Sequence, residues 1–144
     1  MFISNVTDRG ATPALVNLWA FTQARHKVIA ENVANWGNPH YKAKQLDANA
    51  FQQALGRALE DRGGDPNAPF VLPATDQFRT DGHGRLRVTP TEAPAENVLF
   101  HDQTNTSIER QMAHLAENAM MHEAVTTLLQ GRFNGLRKAI RGQV

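Results

Sequence analysis

The sequence predicts a mainly α-helical protein, in which a helix near each end pairs antiparallel into a coiled-coil-like stem and a small irregular α+β insert joins them. Helical apolar patterns near both ends and a proline- and glycine-rich middle are the observations behind this prediction. They divide the chain into a disordered leader at 1–11, a helical stem made of 12–35 with 107–141, and a partly mobile insert at 36–106.

The longer stem helix is predicted from apolar positions that alternate four and three residues apart, the spacing of a heptad repeat. No proline interrupts it, and Ser107 is suited to cap its first turn. His122 and Thr126 are the polar interruptions of the stripe. The predicted seam of this helix consists of Ile108, Met112, Leu115, Leu129, Phe133, Leu136 and Ile140.

Side chains outside this seam are also apolar or small, which indicates that the helix is covered on more than one side. Between Ala119 and Leu129 only Glu123 is charged. A single seam cannot cover that surface, so we expect the flanks of the helix to contact other chains. These flank residues are Ala113, Ala116, Met120, Met121, Ala124, Val125 and Leu128.

The first stem helix is predicted to begin at Thr12-Pro13, a capping hydroxyl followed by proline at the first helical position. It is predicted to end near Asn35, because Gly37 and Pro39 cannot extend it. Phe21 and Val28 lie on a second face of this helix. Its predicted seam consists of Leu15, Leu18, Ile29 and Val33.

The middle of the chain holds several short elements. A helix is predicted at 47–62, a short strand at 70–72, a β-hairpin at 78–88 that turns at 81–84, and a further apolar run at 98–100. The inward side chains of the short helix are expected to be Phe51, Leu55, Ala58 and Leu59.

Composition excludes several classes of function. Fifteen basic and fourteen acidic residues give no electrostatic case for binding nucleic acid or an anionic membrane. The chain has no cysteine and no apolar run long enough to span a membrane, and its first ten residues lack the pattern of a cleavable secretory signal.

Catalytic and metal-binding motifs are also absent from the sequence. There is no His-Glu-x-x-His or Gly-x-Ser-x-Gly pattern, and Gly82-His83-Gly84 is explained by a turn. We therefore expect no enzyme activity, no cofactor, no metal and no small-molecule substrate. An enzyme acting through Asp81 and His83 is the weakest alternative.

The segment at 31–43 carries a local signal, since its asparagines suit a helix end and Asn38-Pro39 favours a turn after which Tyr41 folds back. It resembles the N-terminal signature of bacterial flagellar rod and hook proteins, Asn-x-Ala-Asn-x-x-Thr-Pro-Gly-Tyr. Asn38 replaces the threonine and His40 the glycine of that signature. The residues that match are Asn32, Ala34, Asn35, Pro39 and Tyr41.

The start of the long helix resembles the C-terminal motif of the short proximal-rod proteins of that family. Ser107 stands for a capping aspartate, and His122 stands where a tyrosine is usual. The residues that correspond to the motif are Glu109, Arg110, Met112, Ala113, Ala116 and Asn118.

This resemblance implies a structural subunit of the flagellar proximal rod, located in the basal body. It implies that the terminal helices pack with copies of the chain and with other rod proteins into a helical tube. It also implies passage through the flagellar export apparatus without a cleaved signal peptide. The alternative that the residues leave open is a cytoplasmic helical adaptor that binds one partner helix.

Overall fold

A computed structural model describes residues 9–38, 40–94 and 108–142 of the chain. Within these residues lie three helices, α1 (Thr12–Ala34), α2 (Ala48–Glu60) and α3 (Ile108–Ile140). The helices α1 and α3 pack side by side and antiparallel, with Asn32 beside Gln111 at one end and Trp19 beside His122 further along. The predicted mainly α fold with an antiparallel pair of terminal helices is therefore confirmed.

The strands form two short antiparallel pairs. One joins β1 (Lys44–Gln45) to β4 (Thr91–Glu92), and the other joins β2 (Phe78–Thr80) to β3 (Leu86–Val88). The second pair is the predicted hairpin. Its turn is held by the Asp81 carboxylate, which accepts from the backbone N–H of His83 and of Arg85, and by Gly84 at φ +75°.

The main apolar cluster lies between α1 and the insert. Phe21 of α1 stacks on Phe51 of α2 with ring centroids 4.0 Å apart, and Phe78 meets Phe51 edge-on at 5.2 Å. The other buried members of the cluster are Val28, Leu46, Ala54 and Leu72. Most of the cluster thus comes from the insert, so the face of α1 that carries Phe21 and Val28 is covered by the insert rather than by α3.

Three local predictions in the insert and α1 are wrong. The segment at 70–72 forms no strand, although Leu72 is buried. Leu59 is 41% exposed, because the inward face of α2 runs through Phe51, Ala54 and Ala58. Thr12 does not cap α1: the N-cap is Ala11, which makes no side-chain hydrogen bond, and Thr12 already lies within the first turn.

The contact face of α3 differs from the predicted seam. Met112, Phe133 and Ile140 are exposed, whereas Val125, predicted to contact another chain, is only 3% exposed. Leu129 is buried, and Leu115, Met121 and Leu136 are half-buried. The buried residues along α3 are Gln111, Asn118, Val125 and Leu129.

Two physical reasons explain this difference. The contact face is rotated by about 60° from the mean direction of the predicted stripe, because Gln111, Asn118 and Val125 each lie one residue before a stripe position while Leu129 belongs to both. Two of those positions, Gln111 and Asn118, are polar and hydrogen-bonded, which a count of apolar residues does not detect. The last turns of α3 also extend past the start of α1, so Phe133 and Ile140 have no residue of α1 opposite them.

The α1 half of the predicted seam is buried or half-buried. Ile29 is buried and Val33 half-buried on α1, while Leu18 is half-buried and packs against the insert cluster. Leu15 is half-buried near the start of the helix.

The last residues of the predicted leader are bound to the loop that follows α2. Gly10 donates its N–H to the carbonyl of Pro66 over 3.1 Å and accepts a hydrogen bond from the Arg62 guanidinium. Arg62 also donates to the carbonyls of Pro66 and Ala68. The predictions made for residues 1–8, Pro39, the 98–100 run and Ser107 lie outside the described residues.

Candidate functional site

The segment that carries the N-terminal resemblance forms a joint around Asn32. The side-chain amide of Asn32 donates to the carbonyl of Lys44 at 2.7 Å and to Gln111 Oε1 at 3.2 Å. Its Oδ1 accepts from the Lys44 N–H at 2.9 Å and from the Tyr41 hydroxyl at 3.1 Å. Both donors and both lone pairs of this buried amide are therefore used, and they link the end of α1 to β1 and to α3.

The turn after α1 is shaped by neighbouring members of the same motif. Asn35 donates its side-chain amide to the Glu31 carbonyl, which closes the helix end. Tyr41 folds back onto Asn32 after a turn in which its N–H donates to the Asn38 carbonyl. Partial burial raises the pKa of Tyr41 above its ordinary value, and the nearby carboxylate of Glu31 raises that pKa further. Ala34 is exposed.

The C-terminal motif places Asn118 at the centre of the helix pair. Asn118 is fully buried, and its amide donates to the backbone carbonyl of Thr22 at 2.9 Å. Its Oδ1 has no hydrogen-bond partner among the described residues. The contact is thus a directional bond from α3 to the backbone of α1. The neighbouring motif residues Glu109 and Met112 are exposed.

His122 continues this contact one turn further along α3. The Thr22 hydroxyl donates to the Trp19 carbonyl at 2.9 Å, and His122 Nδ1 lies 2.8 Å from the same hydroxyl oxygen. A threonine hydroxyl has one hydrogen, so when that hydrogen is given to the Trp19 carbonyl, Nδ1 of His122 is the donor to the Thr22 oxygen. The imidazole also lies against the Trp19 ring, with centroids 5.6 Å apart. This histidine is therefore a packing group.

A charged contact lies between the hydrogen bonds of Asn32 and those of Asn118. Arg25 Nη2 is 3.6 Å from Glu117 Oε2, and His114 Nδ1 approaches the same oxygen at 3.5 Å. Arg25 is buried, and its Nη1 has no hydrogen-bond partner in the part of the chain that the structure describes. These groups line a mixed-charge cavity of about 350 Å³ between α1, β1 and α3.

The carboxylate of Asp81 shapes a turn. Asp81 lies in the hairpin turn, where the backbone N–H groups of Arg85 and His83, with a smaller contribution from the Arg87 side chain, hold the pKa of its carboxyl below the usual value. Among the described residues no three His, Cys, Asp or Glu side chains converge as metal ligands would. No helix in the same residues is long and apolar enough to cross a membrane.

The side of α3 opposite α1 carries an uncharged row, here called the outer row. On a helical wheel of 100° per residue, its members lie within about 55° of the direction that points away from the contact face. All are exposed and, apart from one methionine, small. The outer row consists of Ala113, Ala116, Met120, Ala124, Thr127 and Gly131.

Large apolar side chains are exposed within and around the outer row. Met120 in the row is 68% exposed and Leu128 beside it is 56% exposed, and Met112, Phe133 and Ile140 are exposed elsewhere on the same helix. Small side chains allow another helix to approach closely, and large exposed ones supply area to bury. This arrangement suits side-by-side packing against a second helical surface.

The sequence pointed to some of these residues through the resemblance alone. Asn32, Tyr41 and Asn118 were singled out as motif members, although their partners were not foreseen. Gln111, Thr22 and Arg25 were missed. The available signal was that Gln111, Asn118 and Val125 recur every seven residues, one position before the apolar stripe.

Comparison with known proteins confirms the resemblance to flagellar rod proteins. The chain is 24% identical over 133 residues to the flagellar basal body rod protein FlgB of Bacillus subtilis, a match that spans 92% of this chain and 95% of that protein. It is 26% identical over 129 residues to the protein of the same name from Aquifex aeolicus, across 85% of this chain and 86% of that protein. The FlgB protein of Salmonella typhimurium is 21% identical over 126 residues, across 82% and 83% of the two chains. No family model matches the chain.

Proposed function

We propose that this chain, which is similar along most of its length to proteins named FlgB, is a non-enzymatic structural subunit of the flagellar basal-body rod. The observation that carries the proposal is the outer row of α3. An uncharged, exposed helical face over about five turns has no purpose in an isolated helix pair, but it is what parallel packing of many such pairs requires.

In this assembly the α1–α3 pair is the building element. Copies of the chain and other rod proteins pack side by side through the outer row, so that repeated heterologous contacts generate a helical tube. The two asparagine joints fix the pair as one body, since Asn32 ties the end of α1 to β1 and α3, and Asn118 ties the middle of α3 to α1. A rigid element is needed if one contact is to repeat accurately.

The chain is expected to reach this location through the flagellar export apparatus, with the segment at 1–11 as the export determinant. A strain that lacks these residues should accumulate the protein in the cytoplasm, while the purified truncated protein keeps its helical circular dichroism. Normal delivery of the truncated protein to the basal body would show that the determinant lies elsewhere.

The direct test of function uses a deletion strain complemented with variants. The wild-type gene should restore swimming, and the chain should copurify with isolated basal bodies. Ala124→Glu, which places a charge in the outer row, should fold, but it should neither restore swimming nor copurify with basal bodies. Gln52→Glu, at a position on α2 that is also exposed, is the matched control and should behave as wild type.

A cytoplasmic helical adaptor would give a different result. The chain would then be absent from basal bodies and would be recovered with one partner in a defined complex. Recovery of that complex, together with normal swimming by the Ala124→Glu strain, would replace the rod proposal with the adaptor.

A further inference from the structure

The last turns of α3 carry charge of one sign only. Beyond Glu123 the sequence has no acidic residue, and the charged residues that follow are Arg132, Arg137, Lys138 and Arg141. All four side chains are exposed, and none has an ion-pair partner within residues 9–38, 40–94 and 108–142. Cations suit the C-terminal end of a helix dipole, but the dipole does not account for the large apolar side chains among them.

Apolar and basic side chains share one face of these turns. On a helical wheel of 100° per residue, Phe133, Arg137, Ile140 and Arg141 fall within an arc of about 100°, here called the tail face. Phe133 is 43% exposed and Ile140 is 83% exposed. The tail face lies roughly 110° around the helix from the outer row, so it is a separate surface. It suits a partner that offers apolar area together with carboxylates.

The chain itself offers such a surface where α2 ends, here called the acidic end of α2. All of its side chains are exposed, and Leu59, which precedes the carboxylates, is 41% exposed. None of the carboxylates has an ion-pair partner in the part of the chain that the structure describes. The acidic end of α2 consists of Leu59, Glu60, Asp61 and Asp65.

Two backbone turns hold the carboxylates of this surface close together. Gly63 donates its N–H to the carbonyl of Glu60 at 2.8 Å, and Asp65 donates its N–H to the carbonyl of Arg62 at 2.9 Å. Arg62 is buried and its guanidinium donates to backbone carbonyls, so the one exposed cation nearby in sequence is Arg57. Three exposed carboxylates against one exposed guanidinium leave this surface acidic.

We propose that the tail face of one copy of this chain docks on the acidic end of α2 of a neighbouring copy. The charges are complementary, and Phe133 and Ile140 can bury apolar area against Leu59. Within one chain the two surfaces form no ion pair among the described residues. Because the two surfaces are different, each copy can dock its own α3 and receive that of another, and such a contact repeats into a ring or a helix.

The inference adds a second contact to the outer row, and it rests on the proposed function only in that the contact would repeat along the rod. Self-association of the purified chain is measured without a flagellum. A failure of the docking therefore leaves the rod proposal to the basal-body test.

The test is sedimentation velocity of the full chain at about 10 mM ionic strength, where charges act over about 30 Å. The wild-type chain should form larger species as its concentration rises. Reversing the tail face with Arg137→Glu and Arg141→Glu should weaken this association at least about tenfold, because like charges then oppose docking. Reversing the acidic end of α2 with Glu60→Lys and Asp61→Lys should do the same. An equal mixture of the two variants should associate again, since each then meets a complementary surface.

Two further variants separate the contact from net charge and from helix fraying. Arg79→Glu with Arg85→Glu, two exposed arginines of the hairpin, makes the same change in net charge and should associate as wild type. Ile140→Ser keeps the charge and should weaken association, because it removes apolar area from the tail face. If the reversed tail face loses helical circular dichroism, the α2 variant still decides, since it leaves α3 unchanged.

Four results would overturn the proposal. They are a monomeric wild-type chain at every concentration, equal weakening by the hairpin variant, unchanged association of the α2 variant, and a mixture of the two reversed variants, both helical, that stays dissociated. A monomeric wild-type chain that binds phosphatidylserine vesicles through the tail face would assign that face to a membrane instead.

Discussion

Val125 and Leu128 provide a matched test of which side of α3 holds the fold together and which side joins other subunits. The two residues are one turn apart on the same helix, yet Val125 is 3% exposed and Leu128 is 56% exposed. Aspartate at position 125 would remove buried apolar area worth about 2 kcal/mol and place a carboxylate against α1. We expect a total loss of about 4 kcal/mol, a large fraction of the 5–15 kcal/mol typical of a domain.

Aspartate at position 128 should have a small effect on the single chain. The side chain remains in water, so the loss is limited to helix propensity, about 0.5 kcal/mol. Its effect should appear in assembly, because in the proposed rod a charge would then face the neighbouring subunit beside the outer row. Leu128→Asp is therefore expected to fold normally and to abolish swimming, whereas Val125→Asp is expected to fail in both respects.

Urea unfolding at low protein concentration, followed by circular dichroism, measures the first effect. With a slope of about 2 kcal/mol per molar urea, Val125→Asp should lower the midpoint by about 2 M, and Leu128→Asp by about 0.3 M. An unchanged midpoint for Val125→Asp would show that the α1–α3 contact does not use this face. Normal swimming by the Leu128→Asp strain would show that this flank is only solvated.

Three further predictions concern the joints. Asn32→Asp removes both amide donors and should lower the free energy of unfolding, measured by chemical denaturation, by about 3–5 kcal/mol. Asn35→Asp loses one hydrogen bond and should lower it by about 1 kcal/mol. Equal losses for the two variants would contradict the role given to Asn32. Tyr41 is the single tyrosine, so absorbance at high pH reports its titration alone. Its pKa should exceed 10, and Glu31→Gln should lower that pKa. The stabilisation of the fold by protonated Tyr41 should be fully present below pH 10 and should be lost as the pH rises through the raised pKa. Arg62→Lys keeps the positive charge but loses the planar guanidinium that donates to three backbone carbonyls. It should lower the free energy of unfolding by about 2 kcal/mol and speed amide hydrogen exchange at Gly10. Unchanged exchange at Gly10 would contradict the role given to the Arg62–Gly10 contact.

The sequence was sufficient to predict the helices and the hairpin. The start of α1 at Thr12-Pro13 and its end before Gly37 follow from residues whose backbone preferences act locally. The turn around Asp81 is equally local, because one carboxylate and one glycine shape it. These elements depend little on the rest of the chain, and for this reason a single sequence reveals them.

The rotation of α3 could not be predicted in the same way, because α3 is apolar or small on several sides. Its apolar residues identify a helix without identifying which side meets α1. The choice depends on long-range partners: Asn118 needs the carbonyl of Thr22, and Gln111 needs Asn32. Leu18 shows the same dependence, since its apolar character fits either neighbour and the insert cluster contacts it.

The polar residues in the contact between α1 and α3 determine which side of α3 meets α1. If only apolar burial held the pair, other faces of α3, with Met112, Met120 or Leu128, would bury comparable area, and the pair could form in several rotations. Asn32 and Asn118 remove this freedom, because the hydrogen bonds from Asn32 to Gln111 and from Asn118 to the Thr22 carbonyl can form only in the observed register. Sliding α3 by one turn would leave buried amides without acceptors, at about 1–3 kcal/mol for each unpaired group. The hydrogen-bonded face is thereby committed to α1, and the uncharged outer row of α3 is left available to pack against a neighbouring chain.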